Sequence, residues 1–503
     1  MASLEFPLNT VTAEVVSVAL LFGVLAFAVA GPRKLPEAVA AVPAAGLLIG
    51  LGAVSPGEAW QQTRELLPVV AFLAAVLVLA ELCAADGLFE AAGDLVARLC
   101  GGRPGRLLAG VFAVAALTTA VLSLDATVVL LTPVVFATTA RVGARARPHV
   151  YASAHLANTA SLLLPVSNLT NLLALSASGL SFLRFAALMA LPWLVAVAVE
   201  YGVFRRWFAA DLAAGGHPPR GGGRRPLPLF TTVVLCLTLA GFGATSLLGA
   251  EPVWAALGGA VVLAVRALSR GRRTAPGGAP ARKRAPVPAP DAGPGAAGPG
   301  APGPEAADRE AAAPYGAPGS GTAGAEAPEP EAAGPGAPGR GAAAPGSGAS
   351  VTLLGLVRSA SPLFCLFVLA LGVVVKAVVD NGLGDGIGAV LPGGASLWAL
   401  LAVAAVAAVL ANVINNLPAI LALLPVVGPA GPGPVLAALI GVNLGPNLTY
   451  VGSLATLLWR RILHEHGAEP TLGHFTRLGL VTVPATLVTA TVALWGALAV
   501  IGK

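Results

Sequence analysis

Long apolar runs recur along the whole chain, and few charges interrupt them. Each run has roughly the 20 residues that an α-helix needs to cross the hydrocarbon core of a bilayer. The pattern therefore predicts an all-α polytopic membrane protein. The predicted spans are 11–30, 37–54, 66–84, 150–177, 182–204, 228–248, 251–267, 352–379, 432–459 and 473–500.

Two further apolar stretches, 106–140 and 395–428, contain polar residues near their middle. The first has Ser123 and Asp125 there, and the second has Asn415 and Asn416. Non-helical backbone at membrane depth is tolerated only where it lines protein or water. We therefore predict that each stretch is a re-entrant hairpin, which enters and leaves the membrane on the same side.

The same order of features occurs in both halves of the chain. Residues 124–135 align with 416–427, and both segments end in Pro-Val-Val; residues 158–173 align with 443–458. Each half then has five crossings and one hairpin, with a broken helix at its centre. An odd number of crossings gives the halves opposite orientations. We predict two inverted repeats, formed by 1–205 and by 226–269 with 350–503.

The composition also indicates a membrane protein, because 56% of the residues are hydrophobic and only 11% are charged. Soluble domains have roughly 25% charged residues. A net charge of +6 would suggest nucleic acid binding in a soluble protein, but here it reflects arginine-rich loops, so the expected partner is the lipid bilayer and not nucleic acid. Nearly all arginines fall on one side of the predicted topology. The positive-inside rule makes that side cytoplasmic, so both termini face outward.

Residues 270–349 consist mostly of Pro, Gly and Ala. Such a segment cannot bury enough apolar surface to fold. We predict a disordered cytoplasmic loop that links two spans of the second half and carries no chemistry.

Asp125 is the sharpest functional candidate, because it lies at the first hairpin tip and is far in sequence from any other charge. An ionised carboxylate at the bilayer centre costs roughly 2.5–3.5 kcal/mol on insertion scales. Asp125 could cap the second hairpin helix, but Ser or Asn would do so at lower cost. We expect it to carry a proton or to contact the solute.

Neutral polar residues at the hairpin tips and broken helices are the other candidates for solute or ion binding. Amides and hydroxyls offer donors and acceptors without charge, and broken helices expose unpaired backbone groups. The alternative is that these residues hydrogen-bond the helices to one another. They are Ser123, Thr127, Asn158, Ser167, Asn168, Asn171, Asn415, Asn416, Asn443, Asn447, Ser453 and Thr456.

Other chemistry is not indicated by the sequence. Glu81 and Glu200 lie near predicted span ends, where we expect water to reach them. The four cysteines are scattered without metal-binding spacing, so we expect no metal and no cofactor. No nucleophile–base pair suggests a membrane enzyme, and no phosphate-binding GxxxxGK[ST] loop is present. Energy is therefore expected from an ion gradient or from a partner ATPase.

Three polar segments resemble the bacterial arsenite/antimonite efflux permeases, the ArsB family of the ion-transporter superfamily. These segments are 443–459, 158–171 and 415–419, and the resemblance covers most of the chain outside 270–350. It implies export of trivalent arsenic or antimony hydroxide in exchange for protons, sometimes with an ATPase partner. A neutral trihydroxide needs amides and hydroxyls, not cations, and the predicted site has no Lys or Arg.

One departure from the family affects the expected substrate. The family usually has an Asn-Asp pair at the first hairpin, whereas Leu124 precedes Asp125 here. Two alternatives within the superfamily stay open. One is a sodium-coupled carboxylate or sulfate carrier, whose hairpin tips usually read Ser-Asn-Thr. The other is a sodium/proton antiporter, which Asp125 would suit.

Overall fold

The computed structural model describes residues 10–30, 35–218, 225–274, 352–468 and 471–501. These residues form helices and connecting loops, with no β-strand among them. Within a bilayer, a helix satisfies every backbone hydrogen-bonding group inside its own segment. The predicted all-α class is confirmed. The predicted loop 270–349 lies outside the described residues from position 275 onward.

The first half contains eleven α-helices in the described part of the chain. A π-helical turn, Thr127–Leu131, joins α6 to α7, and two 3₁₀ turns, Ala160–Leu162 and Pro165–Ser167, separate α8 from α9. The helices are α1 (Thr10–Ala30), α2 (Ala38–Gly50), α3 (Pro56–Ala85), α4 (Leu88–Leu99), α5 (Pro104–Val121), α6 (Leu124–Ala126), α7 (Thr132–Val142), α8 (Ala146–Thr159), α9 (Leu169–Ser178), α10 (Phe182–Trp207) and α11 (Ala209–Ala213).

The second half repeats this order of long helices, hairpin and broken helix. A π-helical turn, Val379–Leu383, follows α15, and 3₁₀ turns occur at Gly428–Ala430, Gly445–Asn447 and Tyr450–Gly452. Its helices are α12 (Leu229–Leu247), α13 (Val253–Thr274), α14 (Leu353–Ser359), α15 (Pro362–Val378), α16 (Gly384–Val390), α17 (Leu397–Ile414), α18 (Asn416–Val427), α19 (Pro432–Leu444), α20 (Leu454–Glu465) and α21 (Leu472–Ile501).

Polar caps and prolines begin several long helices. At α3, the Ser55 hydroxyl accepts the backbone N–H of Glu58 at 3.2 Å, and the Glu58 carboxylate accepts the Ser55 N–H at 2.9 Å. This capping box and Pro56 at the first helical position satisfy backbone donors that would otherwise lack partners. The Ser181 and Ser396 hydroxyls cap α10 and α17 by accepting one backbone N–H each, at 3.3 Å.

Ten helical segments among the described residues are long and apolar enough to cross a membrane. Segments 11–28, 56–85, 182–207, 229–247, 253–270, 354–382 and 472–501 fall on predicted spans, and 104–121, 124–142 and 397–414 are arms of the predicted hairpins. The predicted span 37–54 is the 13-residue helix α2, which is only about 20 Å long. The chain is a multi-pass membrane protein.

Helices of the two halves pack reciprocally. Helix α2, the second predicted span of the first half, packs on α15, the third predicted span of the second half. Helix α13, the second span of the second half, packs on α3, the third span of the first half. Helices α10 and α21, the last spans of the two halves, pack on each other. Reciprocal contacts arise when two copies are related by a two-fold axis. The packing supports a repeat, while the opposite orientation of the halves stays a prediction.

Small residues bring α17 and α19 into close contact. A Cβ on Gly441 would overlap the carbonyl oxygen of Ala404, and a Cβ on Gly445 would lie 2.8 Å from that of Ala408. Small residues four positions apart let helices approach closely in lipid, where tails are as apolar as side chains. The contact fixes the first arm of the second hairpin against the broken helix α19–α20.

Ion pairs join segments that the sequence places on the cytoplasmic side. Asp94 on α4 pairs with Arg141 at the end of α7 at 2.8 Å, and Arg145 before α8 pairs with Asp211 on α11 at 2.7 Å. The sequence analysis predicted neither α4 nor α11. These short helices hold the ends of the hairpin and the broken helix together, as the predicted topology requires.

Candidate functional site

Ser123 begins the second arm of the first hairpin. Its hydroxyl accepts the backbone N–H of Ala126 at 3.1 Å, so Ser123 and not Asp125 caps this helix. The hydroxyls of Thr127 and Thr119 hydrogen-bond at 2.7 Å inside the hairpin. Thr127 therefore links the two arms, and it lines neither of the cavities described below.

The tip of the second hairpin has an unusual backbone at Asn415, with φ 74° and ψ 157°. Residues other than glycine rarely adopt this conformation, which costs about 1–3 kcal/mol and persists only where the surroundings hold it. The Asn415 side-chain amide donates to the carbonyl of Val451 at 3.1 Å, and this hydrogen bond helps to stabilise the unusual backbone conformation. Asn416 follows as the first residue of α18, and no described residue hydrogen-bonds to its side chain.

The broken helices restart at aligned polar residues. Asn168 precedes α9, and its side-chain carbonyl accepts the backbone N–H of Thr170 at 3.3 Å. Ser453 precedes α20, and its hydroxyl accepts the N–H of Ala455 at 3.2 Å. Both residues are thus N-caps, which explains why polar side chains occur at these two breaks.

The N-terminal ends of α6, α9, α18 and α20 contribute to the wall of a small cavity of about 50 Å³. Helix N-termini present partial positive charge and unpaired N–H groups. One water needs about 10–15 Å³ of such space, so the cavity holds roughly four heavy atoms. No Lys or Arg is among the described residues of its wall. The predicted site residues there are Ser123, Asp125, Ser167, Asn168, Asn416 and Ser453.

A larger cavity of about 710 Å³ lies beside the small one. It reaches the surface near the exposed residues Arg460 and Arg461, on the side predicted to be cytoplasmic. Asp125, Phe364 and Leu454 line both cavities. These three residues therefore stand between the surface opening and the helix ends.

Asp125 is partly buried, and no described residue forms a hydrogen bond or ion pair with its carboxylate. A carboxylate removed from water is costly unless it is paired, protonated or bound to a solute. The N-terminal turn of α6 offsets part of this cost through its partial positive charge. Asp125 is therefore a carboxylate without a described protein partner on the wall of both cavities.

Five other predicted residues form contacts between the two halves. Asn158 donates to the Asn447 carbonyl oxygen at 2.9 Å and to the Thr456 hydroxyl at 3.2 Å. Asn443 donates to the Asn171 carbonyl oxygen at 2.8 Å. All five side chains are buried, and none lines either cavity. Their arrangement matches the alternative in which polar residues hydrogen-bond helices together.

Asn168 and Ser167 connect the wall of the small cavity to its surroundings. The Asn168 amide donates to the Asn443 side chain at 3.0 Å, so a residue of the wall also belongs to the contact between halves. The Ser167 hydroxyl donates to the carbonyl of Ala120 at 2.9 Å, which ties this break to the first hairpin. A movement of one half would thus reach the cavity directly.

The polar groups of the small cavity suit hydrogen bonding better than metal binding. They are amides, hydroxyls and one carboxylate. Within the described ranges, no group of three or more His, Cys, Asp or Glu side chains could hold a metal ion.

His155 and Glu200 form a buried pair that the sequence did not predict. The expectation that water reaches Glu200 is wrong, because its side chain is 0% exposed and its Oε1 lies 2.9 Å from Nδ1 of the equally buried His155. Helix α10 continues to Trp207, beyond the predicted end of the span, so Glu200 lies deeper than expected. His155 precedes Asn158 by three residues, so both lie on the same face of a helix. This spacing is the feature of the sequence that could have indicated that His155 is buried near Asn158.

Two different family models match the first and the second part of the chain. A family model described as a citrate transporter matches residues 18–271, and one described as an arsenical pump membrane protein matches residues 342–498. An arsenical pump membrane protein of Escherichia coli (strain K12) is 25% identical over 477 residues, covering 91% of this chain and 93% of the relative.

Shorter matches to proteins with the same description are more similar. One from Yersinia enterocolitica is 29% identical over 193 residues, or 38% of this chain and 45% of that relative. One from Escherichia coli is 45% identical over 56 residues, or 11% of this chain and 13% of that relative. These two matches therefore span less than half of the relatives concerned.

Proposed function

The chain belongs to the family of arsenical pump membrane proteins and is an ion transporter of the ArsB/CitMHS type, and we propose that it exports arsenite or antimonite hydroxide in exchange for protons. The observation that carries the proposal is Asp125, a carboxylate on the wall of both cavities that has no partner among the described residues. A carboxylate so placed takes up a proton when the solute leaves and releases it when the solute binds.

The size and chemistry of the small cavity support a neutral hydroxide as solute. A volume of about 50 Å³ takes the one metalloid and three oxygen atoms of a trihydroxide, whereas a tricarboxylate is too large for it. The N–H groups at four helix ends donate to the hydroxyl oxygens. The side chains of Asn416, Ser123 and Ser453 supply further donors and acceptors, and the ionised Asp125 accepts a hydroxyl hydrogen.

The two cavities suggest how access alternates. The large cavity connects the predicted cytoplasmic surface to Asp125, so the described form is open to solute from that side. Movement of one half against the other would close this route and open one on the opposite side, as in transporters built from inverted repeats. The hydrogen bonds between Asn158, Asn447 and Thr456 would be remade in that movement.

A sodium-coupled carboxylate or sulfate carrier is the second candidate, because residues 18–271 match the citrate transporter model. Four helix N-termini could hold an anion without any Lys or Arg. A sodium/proton antiporter is the third, since Asp125 could bind a sodium ion. Coupling to a partner ATPase is the alternative source of energy.

Reconstituted transport separates these candidates. Purified protein in liposomes is given an imposed pH gradient without ATP, and uptake of arsenite, antimonite, citrate, succinate, sulfate and sodium is measured side by side. We expect arsenite and antimonite to cross the membrane in the direction opposite to the proton flow, driven by the imposed pH gradient. Asp380→Asn, which removes the partner of Lys376 far from both cavities, serves as a matched carboxylate control and should transport like the unmodified protein.

Each contrary result has a definite meaning. Movement of citrate or sulfate driven by sodium, without arsenite movement, would support the carrier alternative. Sodium exchange for protons in the absence of metalloid would support the antiporter. Arsenite movement only after addition of an ATPase and ATP would refute proton exchange as the energy source.

A further inference from the structure

His155 and Glu200 place two ionisable groups together inside the protein and away from both cavities. Nδ1 of His155 on α8 and Oε1 of Glu200 on α10 are 2.9 Å apart, and both side chains are 0% exposed. The rings of Phe204 and Phe475 contact the imidazole at centroid distances of 5.2 and 5.1 Å. The pair therefore lies in an apolar enclosure, where a charge is poorly solvated.

The outer atoms of the pair are unsatisfied. Nε2 of His155 and Oε2 of Glu200 are buried and have no hydrogen-bond partner among the described residues. Buried polar groups without protein partners are costly and uncommon. Nε2 can bind a proton as histidine becomes charged, and Oε2 can bind one as glutamate becomes neutral.

A continuous set of hydrogen bonds leads from this pair to the contact between the halves. The amide of Asn447 is shared by three acceptors: the carbonyl of His155 at 3.1 Å, the Thr159 hydroxyl at 2.8 Å and Oε1 of Glu200 at 3.5 Å. The carbonyl oxygen of Asn447 in turn accepts from Asn158. A proton on Oε2 would neutralise the carboxylate and so weaken Oε1 as the acceptor for Asn447, because hydrogen bonds to a charged acceptor are stronger than those to a neutral one.

Few other charges approach the pair from the helices packed around it. Helix α19 has no titratable residue. The other titratable residues on α5, α8, α10 and α21 are Arg106, Arg147, His149, Tyr151, Arg184, Tyr201, Arg205, Arg206, His474 and Arg477, and those on α6, α7, α11, α12 and α20 are Asp125, Arg141, Asp211, Cys236, Arg460, Arg461, His464 and Glu465. None of them forms a hydrogen bond or ion pair with His155 or Glu200 in the described part of the chain.

We infer that the His155–Glu200 pair is a second proton-binding site of the transporter, distinct from Asp125. Protonation of this pair controls how strongly the first half hydrogen-bonds to Asn447 in the second half. The inference rests on the proposed proton exchange. Asp125 meets the solute in the cavities, whereas His155 and Glu200 act on the contact between halves and are positioning residues. One proton enters or leaves the pair, and no other atom is transferred.

Infrared difference spectroscopy during a pH titration tests the inference without any transport. Protein in lipid nanodiscs is compared with Glu200→Gln, His155→Gln, Asp125→Asn and Asp211→Asn, a control that removes a partly buried carboxylate paired with Arg145. We expect a titrating carboxyl band that persists in Asp125→Asn and Asp211→Asn, disappears in Glu200→Gln, and shifts its midpoint in His155→Gln. A spectrum that Glu200→Gln leaves unchanged would overturn the inference. Should Glu200→Gln fail to fold, an unshifted midpoint in His155→Gln would overturn it equally.

Transport then distinguishes a proton site from a packing role. Glutamine retains the shape and the accepting oxygen of Glu200 but carries no proton, so we expect Glu200→Gln to remove one step from the pH profile of arsenite exchange. An unaltered profile would mean that the pair only packs. If the unmodified protein moves no arsenite although the Glu200 band titrates, the proposed substrate fails while the proton site stands.

Discussion

Asn158 in the first half donates its side-chain amide to the hydroxyl of Thr456 in the second half at 3.2 Å. The residues aligned with them make the reciprocal contact, because Asn443 donates to Asn171 at 2.8 Å. A contact that recurs with the roles of the halves exchanged is what an internal two-fold axis produces. The duplicated polar positions thus hold the halves together, and the aligned helix ends beside them form the small cavity.

Replacement of Asp125 by Asn tests proton coupling directly. Asparagine preserves size and hydrogen bonding but cannot exchange a proton, so we expect loss of arsenite export driven by a pH gradient, with arsenite binding retained. Asp125→Glu should keep part of the coupling. Uptake by everted vesicles and binding to purified protein give the two measurements. Undiminished proton-driven export by Asp125→Asn would show that the carboxylate has no coupling role.

Asn416→Ala tests whether the second hairpin tip contacts the solute. The Asn416 side chain lines the small cavity and has no described partner, so its loss should remove one solute hydrogen bond without leaving a protein group unsatisfied. A bond of this kind contributes about 0.5–1.5 kcal/mol, which corresponds to a KM for arsenite raised roughly two- to twelvefold.

Asn381→Ala provides the matched amide control for this measurement. Asn381 donates to the carbonyls of Ala53 and Ala377 at 3.1 and 2.7 Å and lines neither cavity. We expect its KM to equal that of the unmodified protein. Equal KM values for all three proteins would remove Asn416 from the solute site.

Phe364 stands between the two cavities, and Phe364→Ala should join them. The measurement uses a protein without its native cysteines, into which a cysteine is introduced by Asn416→Cys. The rate at which a water-soluble thiol reagent modifies this cysteine reports access to the small cavity. We expect faster modification from the large-cavity side when Phe364 is shortened. Leu363→Ala, which alters an exposed neighbour on the same helix, should leave the rate unchanged. Identical rates in both variants would show that Phe364 blocks nothing.

Gly441→Ala should destabilise the protein by about 1–3 kcal/mol through overpacking. The added Cβ would overlap the carbonyl oxygen of Ala404 in the adjacent helix, and backbone cannot move aside as a flexible side chain can. The control is Gly496→Ala on α21, where the new Cβ meets no atom within 4 Å. Thermal unfolding in detergent compares the two variants. A melting temperature lowered equally by both would contradict the close packing of α17 and α19.

Asp94 makes stability depend on pH at the predicted cytoplasmic end. Burial acts to raise the pKa of Asp94, but hydrogen bonds from Arg141 and the Arg225 backbone, with the charge of Arg98, outweigh it and lower the pKa below its ordinary value. A carboxyl with a depressed folded pKa contributes stability above its unfolded pKa and loses it as the pH falls through the folded pKa.

Asp94→Asn should therefore be less stable than the unmodified protein at neutral pH, and the difference should shrink in acid. Thermal unfolding measured over a series of pH values checks both parts. A stability difference that is constant from neutral to acidic pH would refute an electrostatic role for Asp94.

Local features of the sequence were sufficient for the helices and for their breaks. Apolar length predicts the spans, and polar residues predict that some of them are broken. From the sequence alone, Ser123, Asn168 and Ser453 are only candidates for solute or ion binding, whereas in the structure they cap helices through backbone groups two or three positions away. Asp125 could likewise be identified, since a lone carboxylate in an apolar stretch needs no partner to be noticed. The short helices α4 and α11 were missed because neither is long enough to read as a span.

The sequence by itself thus determined most of the long apolar helices and the polar regions near which they break. Only the tertiary structure decided which polar groups face a cavity and which face each other. Asn443 and Asn416 have the same donors and acceptors, yet Asn443 is bonded across the halves and Asn416 lines a cavity. Glu200 became a partner of His155 in the same way. The physical reason is that hydrogen-bond partners hundreds of positions apart are chosen by helix packing, which composition and spacing within one segment do not contain.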